Sequence, residues 1–290
     1  VTSDWHLSKY SNDQIDISSN LPERLSSLKN TMYFIASYVI ENNIKNIVIA
    51  GDIFHNKSII HSIALNIFLR FLRDHQELKF IIISGNHDLS GKIGNVVSAL
   101  SSIEYEPNVT YISNPLKIGN ILFVPYSSNM IETIKNSSSE YLISHFGLNE
   151  GMLNSGISVV ADIGIKDLEG KYKNVLLGHY HKPQEIIRDN IKVYYTGSLI
   201  EIDYGERNEE KRFLVVDTDN KSITSILTNG YKKHYDFELT KENRIETLQK
   251  ARELKNQGHH VQLSQTEEMD VSDIRDEFKI KNNIVHDVTN

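Results

Sequence analysis

Five short polar clusters, each placed just after an apolar run, hold six of the twelve histidines in this chain. Asp4-Trp5-His6 follows residues 1–3, Gly51-Asp52-Ile53-Phe54-His55 follows 46–50, and Gly85-Asn86-His87-Asp88 follows 80–84. His145 closes the run 141–144, and Gly178-His179-Tyr180-His181 follows 174–177. Carboxylate, amide oxygen and imidazole are the donors of a divalent-cation site, and a mixed oxygen and nitrogen set without sulfur suits Mn, Fe or Zn better than Ca or Mg. Asp4 and His6 lie two apart, as do His179 and His181, so on extended backbone each pair points to one side and can grip one ion. Asp52 has two oxygens and can bridge to a second ion, which one imidazole cannot do. With Asn86 and His145 the expected ligands are Asp4, His6, Asp52, Asn86, His145, His179 and His181. Two ions about 3.5–4 Å apart clamp the oxygens of an in-line displacement at phosphorus and lower the pKa of a bridging water towards neutrality. That chemistry is phosphoester hydrolysis.

The apolar runs read as buried strands, which puts the clusters at strand carboxyl ends, where open α/β sheets carry their sites. Residues 21–43 place Leu25, Leu28, Met32, Ile35, Ala36, Val39 and Ile40 at helical spacing. Residues 58–75 repeat the pattern, with Ser58 as the expected N-cap. The alternation of strand and helix predicts a mostly parallel sheet in the first half. Later strands are short and split by turns such as Ile118-Gly119-Asn120, which predicts a second sheet packed on the first. Residues 149–163 read as a loop near the site. After Asn229-Gly230 the chain turns more charged, and a β-α-β-α-β appendage is expected, with helices at 241–256 and 271–278 and a last strand at 283–288. The fold class is therefore α/β (α+β), two packed sheets flanked by helices in 1–230 and a small α+β domain in 231–290.

With 290 residues the chain can bury a full core, and with no cysteine it offers neither disulfides nor thiolate ligands, which favours a cytosolic setting. The net charge of -7 argues against a broad basic surface. No run approaches the roughly 18 apolar residues of a membrane span. The chain opens on Val1, three residues before the first cluster, so a start methionine and the beginning of the first strand are expected upstream.

The set Asp4-x-His6, Gly51-Asp52, Gly85-Asn86-His87-Asp88, His145 and Gly178-His179-x-His181 resembles the calcineurin-like metallophosphoesterase superfamily over residues 1 to about 200. Within it the chain is most similar to the SbcD and meiotic-recombination-eleven DNA nucleases. Ser3-Asp4-Trp5-His6-Leu7, Gly51-Asp52-Ile53-Phe54-His55, Thr196-Gly197-Ser198-Leu199, Asp203-Tyr204-Gly205-Glu206 and Lys211-Arg212-Phe213 carry that likeness. The resemblance implies that Asp4, His6, Asp52 and His181 hold one ion and that Asp52, Asn86, His145 and His179 hold the other. It implies Mn as the active metal, with Fe, Zn or Mg as alternatives. His87 would contact the scissile phosphate and protonate the leaving oxygen, His55 would assist, and Asp88 would orient His87 or its loop from behind the ligands.

The resemblance further implies a double-strand exonuclease and single-strand endonuclease of DNA recombination and repair, working with an SbcC-like ATPase, dimerising through early helices and using a DNA-selecting cap. Lys9, Lys57, Lys92, Lys182 and Arg207 are the basic residues near the clusters that a DNA backbone would meet. Phosphoprotein phosphatases of the superfamily carry an Asp-Arg pair after the second cluster, where a guanidinium fork suits a phosphate dianion. Here that stretch is Phe54-His55-Asn56, which favours a diester. The rival readings are a small-molecule or nucleotide phosphoesterase of the same superfamily and a scaffold that kept the fold without the chemistry.

Overall fold

The computed structural model describes residues 1–10, 13–90, 97–157 and 160–284. Two compact units result, one of Val1–Ile200 with Glu210–Tyr231 and one of Glu201–Glu209 with Lys232–Asn290.

In the larger unit the strands Asn46–Ala50, Lys79–Ile83 and Val109–Ile112 run parallel as one sheet. Residues 1–7 lie alongside through bridges from Thr2 to Ile49 and from Leu7 to Phe54. A second sheet has the order Gln184–Arg188, Ile191–Tyr195, Asn174–Gly178, Tyr141–His145, Ile121–Val124, Leu116–Ile118, with its four inner strands parallel. A hairpin of Arg212–Asp217 and Ser222–Leu227 joins the unit, Leu214 donating its N–H to the Val1 carbonyl at 2.9 Å. The strands are β-branched and apolar because both of their faces are covered. Val48, Ile83, Phe123, Ile143 and Leu176 form one buried cluster drawn from both sheets.

Helix Glu23–Glu41 packs with Leu25, Leu28, Met32, Ile35, Ala36 and Val39, the face its sequence spacing predicts. Each large side chain so buried contributes about 1.5–3 kcal/mol. The second helix is Ser62–Asp74, shorter at its start than the expected 58–75. Its N-cap is His61, in extended conformation, and not Ser58. The apolar spacing that suggested an earlier start belongs to a non-helical approach to the helix. Trp5 is buried against Phe68 and Phe71 of this helix, edge-on at 5.8 and 5.7 Å, so the first polar cluster is backed by an aromatic wall.

In the smaller unit the strands His234–Leu239, His260–Gln265 and Lys279–Asn282 form a parallel sheet, with helix Arg244–Asn256 packed on it. The helix expected at 271–278 is only a 3-10 turn, Ser272–Ile274. Asp270 accepts the Ser272 N–H at 2.9 Å in a local turn, a competitor to helix that short polar side chains provide. The last strand is Lys279–Asn282 and not 283–288, whose residues 285–288 lie outside the described part. Among the described residues no helix is long and apolar enough to cross a membrane.

Candidate metal centre

Strand ends from both sheets of the larger unit deliver the polar clusters. Asp52 follows Asn46–Ala50 through Gly51, whose φ of 88° is open to glycine at little cost. Asn86 follows Lys79–Ile83, His145 ends Tyr141–His145, and His179 follows Asn174–Gly178. Asp4 and His6 are not on extended backbone: their φ angles are 52° and 48°, and that of His179 is 103°. The two-residue alternation assumed for these pairs therefore does not operate. Left-handed turns aim the side chains instead, a strained geometry of the kind concentrated at functional sites.

The seven side chains nonetheless converge. Asp52 Oδ2 lies 3.3 Å from His145 Nε2 and 3.7 Å from His6 Nε2. Asp4 Oδ1 is 3.9 Å from His6 Nε2 and 4.0 Å from His145 Nε2. His181 Nε2 faces His6 Nε2 at 2.9 Å. Asn86 Oδ1 sits 3.0 Å from His179 Nδ1 and 3.2 Å from His145 Nε2. Among the described residues, the groups compact enough to share an ion are Asp4, His6 and His181; Asp4, Asp52 and His145; and His6, His55 and His87. His145 donates Nδ1–H to the Ala50 carbonyl at 2.8 Å, which leaves the Nε2 lone pair turned to the carboxylates. Such a backbone partner is what fixes a metal-ligating imidazole in its tautomer. Facing imidazole nitrogens, fully buried carboxylates and an amide oxygen fit a pair of divalent cations.

The electrostatics are those of tightly packed opposite charges. Burial works against charge on His145, but Asp52 and Asp4 outweigh it and lift its pKa to about 9. Burial would raise the Asp52 carboxyl, yet His145, His6 and the His87 N–H bring it below the ordinary carboxylate range. His179 is pushed down to about 4 by burial and by the neighbouring His145.

The remaining residues fall around this centre. His87 donates its backbone N–H to Asp52 Oδ1 at 2.8 Å and its Nδ1–H to the His55 carbonyl at 2.6 Å, and its ring stacks on His55 at 5.8 Å. His55 Nδ1 is 3.4 Å from His6 Nδ1. Asp88, pushed up to about 7 by burial and by Asp52, accepts N–H groups from Asp52, Ile53, Phe54 and Gly85 at 2.7, 3.0, 3.2 and 2.9 Å. It thus grips the loop that presents Asp52. Lys9 and Lys57 are exposed, Lys182 is half-buried, and Lys92 lies outside the described residues. Arg207 belongs to the smaller unit, where its guanidinium donates to the Tyr204 carbonyl at 2.6 Å and lies 3.9 Å from Asp236. Sequence reasoning did not assign a role to Tyr10, whose ring lies 5.0 Å from His55 and whose hydroxyl donates to the His6 carbonyl at 2.9 Å. An aromatic four residues after a candidate ligand was its only signal.

Residues 1–213 match the family model described as calcineurin-like phosphoesterase. The chain belongs to that family. It is a metal-dependent phosphoesterase, a hydrolase with the mixed α/β fold of that family. The SbcD component of the nuclease SbcCD from Staphylococcus saprophyticus is similar to it at 22% identity, over 94% of this chain and 79% of that protein. Its counterpart in Staphylococcus epidermidis is 21% identical over the same shares. Among solved structures, an archaeal phosphodiesterase aligns with 68% of this phosphoesterase and 91% of its own chain, at 15% identity and a TM-score of 0.38.

Proposed function

We propose that this phosphoesterase is a di-metal phosphodiesterase acting on DNA, the nuclease subunit of an SbcCD-type recombination and repair complex. The observation that supports it best is the donor set itself, with Asp52 set between His6 of one half and His145 of the other. Asp4, His6, Asp52 and His181 would hold one ion and Asp52, Asn86, His145 and His179 the second, with Mn as the proposed metal. Bound there, the pair supplies a Lewis acid for the phosphoryl oxygens and a water acidified towards neutrality.

The chain's own residues do the rest. His87, its Nδ1–H committed to the His55 carbonyl, presents Nε2 as the atom that carries a proton to the leaving oxygen. His55 stacks on that ring and keeps it from turning away. A diester leaving group needs such a donor more than it needs a guanidinium fork, and the stretch after Asp52 supplies histidine and no arginine. The names of the staphylococcal relatives support DNA as substrate and an SbcC-like ATPase as partner. Lys9, Lys57 and Lys182 are proposed backbone contacts, the smaller unit a DNA-selecting cap, the chain a homodimer and its setting the cytoplasm.

The test is purified protein with Mn on end-labelled duplex, single-strand and nucleotide substrates. Shortening of the duplex together with cuts in the single strand is the expected result. Hydrolysis of nucleotides or simple diesters with both DNAs intact would replace this reading with a small-molecule phosphoesterase.

A further inference from the structure

Lys211 is one of the most deeply buried side chains of the larger unit, 1% exposed. A buried ammonium is costly unless hydrogen bonds replace its water. Its Nζ donates to the His181 carbonyl at 3.1 Å and to Ser198 Oγ at 2.9 Å. The Ser198 N–H reaches the same His181 carbonyl at 3.1 Å, and Ser198 Oγ donates to the Ile200 carbonyl at 3.0 Å. Gly197 lies so close that a Cβ there would stand 2.7 Å from the His181 carbonyl and 2.6 Å from Pro183. One residue earlier, Thr196 Oγ1 is 2.5 Å from Ser3 Oγ, and Ser3 Oγ in turn donates to Asp4 Oδ2. Thus one turn holds the backbone of His181 at one end and the carboxylate of Asp4 at the other.

The ligands of the other half are anchored elsewhere. His145 is held by the Ala50 carbonyl, and Asp52 by the His87 N–H. A link between the halves is the His179 N–H on Asp4 at 3.1 Å, a backbone contact to which Lys211 is not joined.

We propose that Lys211 and the Thr196-Gly197-Ser198 turn are positioning residues for one ion alone, the one held by Asp4, His6 and His181. The inference rests on the two-ion reading above. Lys211 fixes the carbonyl of His181 and with it the direction of the ring, while Thr196 fixes Asp4 through Ser3. Partners behind the ligands of this kind are worth 10–100-fold in metal affinity.

The experiment titrates Mn into the metal-free full chain by calorimetry, with electron paramagnetic resonance to count paired and isolated ions. The unaltered protein should take up two ions as a coupled pair. Lys211→Met should leave one site at its original affinity and weaken the other about 10–100-fold, replacing the pair signal by that of a single ion. Thr196→Val, which keeps the shape and removes the hydroxyl, should weaken the same site. In a His181→Ala background Lys211→Met should add nothing further, because the site it serves is already lost. Equal weakening of both sites, or none, in a protein with an unchanged circular-dichroism spectrum overturns the proposal. Should Lys211→Met not fold, Thr196→Val decides by the same criterion. An unaltered chain that binds fewer than two ions removes the functional reading itself, whereas two ions with unselective variants remove only the positioning role.

Discussion

Gly85→Ala is the smallest change that tests whether the placement of Asp52 governs activity. A Cβ at Gly85 would lie 2.5 Å from the Asp52 nitrogen and 2.8 Å from its Cγ, with Oδ1 nearer still. Carbon atoms rest no closer than about 3.5 Å, so the carboxyl must retreat by about 0.7 Å. Neighbours leave it little room, since Asp88 holds the backbone of residues 52–54 and His87 holds Oδ1. Overpacking of this kind costs about 1–3 kcal/mol in stability. A misplacement of about 1 Å costs on the order of 100-fold in rate, so about 0.7 Å should cost between 10- and 100-fold. The assay is hydrolysis of bis-p-nitrophenyl phosphate at saturating Mn, with thermal unfolding of the same preparation. A folded Gly85→Ala protein whose kcat/KM stays within about threefold of the unaltered enzyme would refute the claim that this carboxylate must sit where it does.

Other outcomes can be checked alongside. His87→Ala should keep both metals and lose most diester hydrolysis, about 100- to 10,000-fold for a proton donor, whereas Asp52→Ala should lose metal as well; metal analysis paired with the hydrolysis assay separates the two, and full cleavage by His87→Ala would end its acid role. Phe68→Ala, which removes a fully buried ring from behind Trp5, should cost about 3–5 kcal/mol in urea unfolding. Asp16 accepts hydrogen bonds from Ser18, Ser19 and Ser26, and its pKa is drawn down to about 2 chiefly by the Ser18 hydroxyl. Because its folded pKa lies below the ordinary 3.8, its stabilisation is whole above that value and vanishes as pH falls through about 2. The stability advantage over Asp16→Asn should therefore narrow across that window, and an advantage constant down to pH ~2 would contradict it.

Much of the centre was legible because its donors are spelled in local clusters next to apolar runs. Strand ends 46–50, 80–84, 141–144 and 174–177 could be read from composition alone, and their shared rim follows from parallel pairing. The aiming of Asp4, His6 and His179 was not legible. Alternation along an extended strand gave the right neighbours for a reason that their positive φ angles contradict. Ser58 was a plausible cap by type, but capping needs the backbone to turn at that residue, and here it turns at His61. In the smaller unit Val271, Ile274 and Phe278 do face the core at helical spacing, yet a single 3-10 turn suffices to bury them. Lys211 stood in the sequence as part of a family-like run only. Its contact with the carbonyl of His181 joins residues 30 apart, and nothing local announces it.

Asp4 and His179 meet across 175 residues, and the donors are shared between two sheets. No ligand set is whole until those sheets have docked, so ions cannot seed the folding of a half-made chain. They can only reward its completion. Because cations then bind the native state and not the unfolded one, an ion at about 100 times its Kd adds about 2.7 kcal/mol to the finished molecule. The supply of metal during synthesis would thus govern how long the enzyme survives as well as how fast it works.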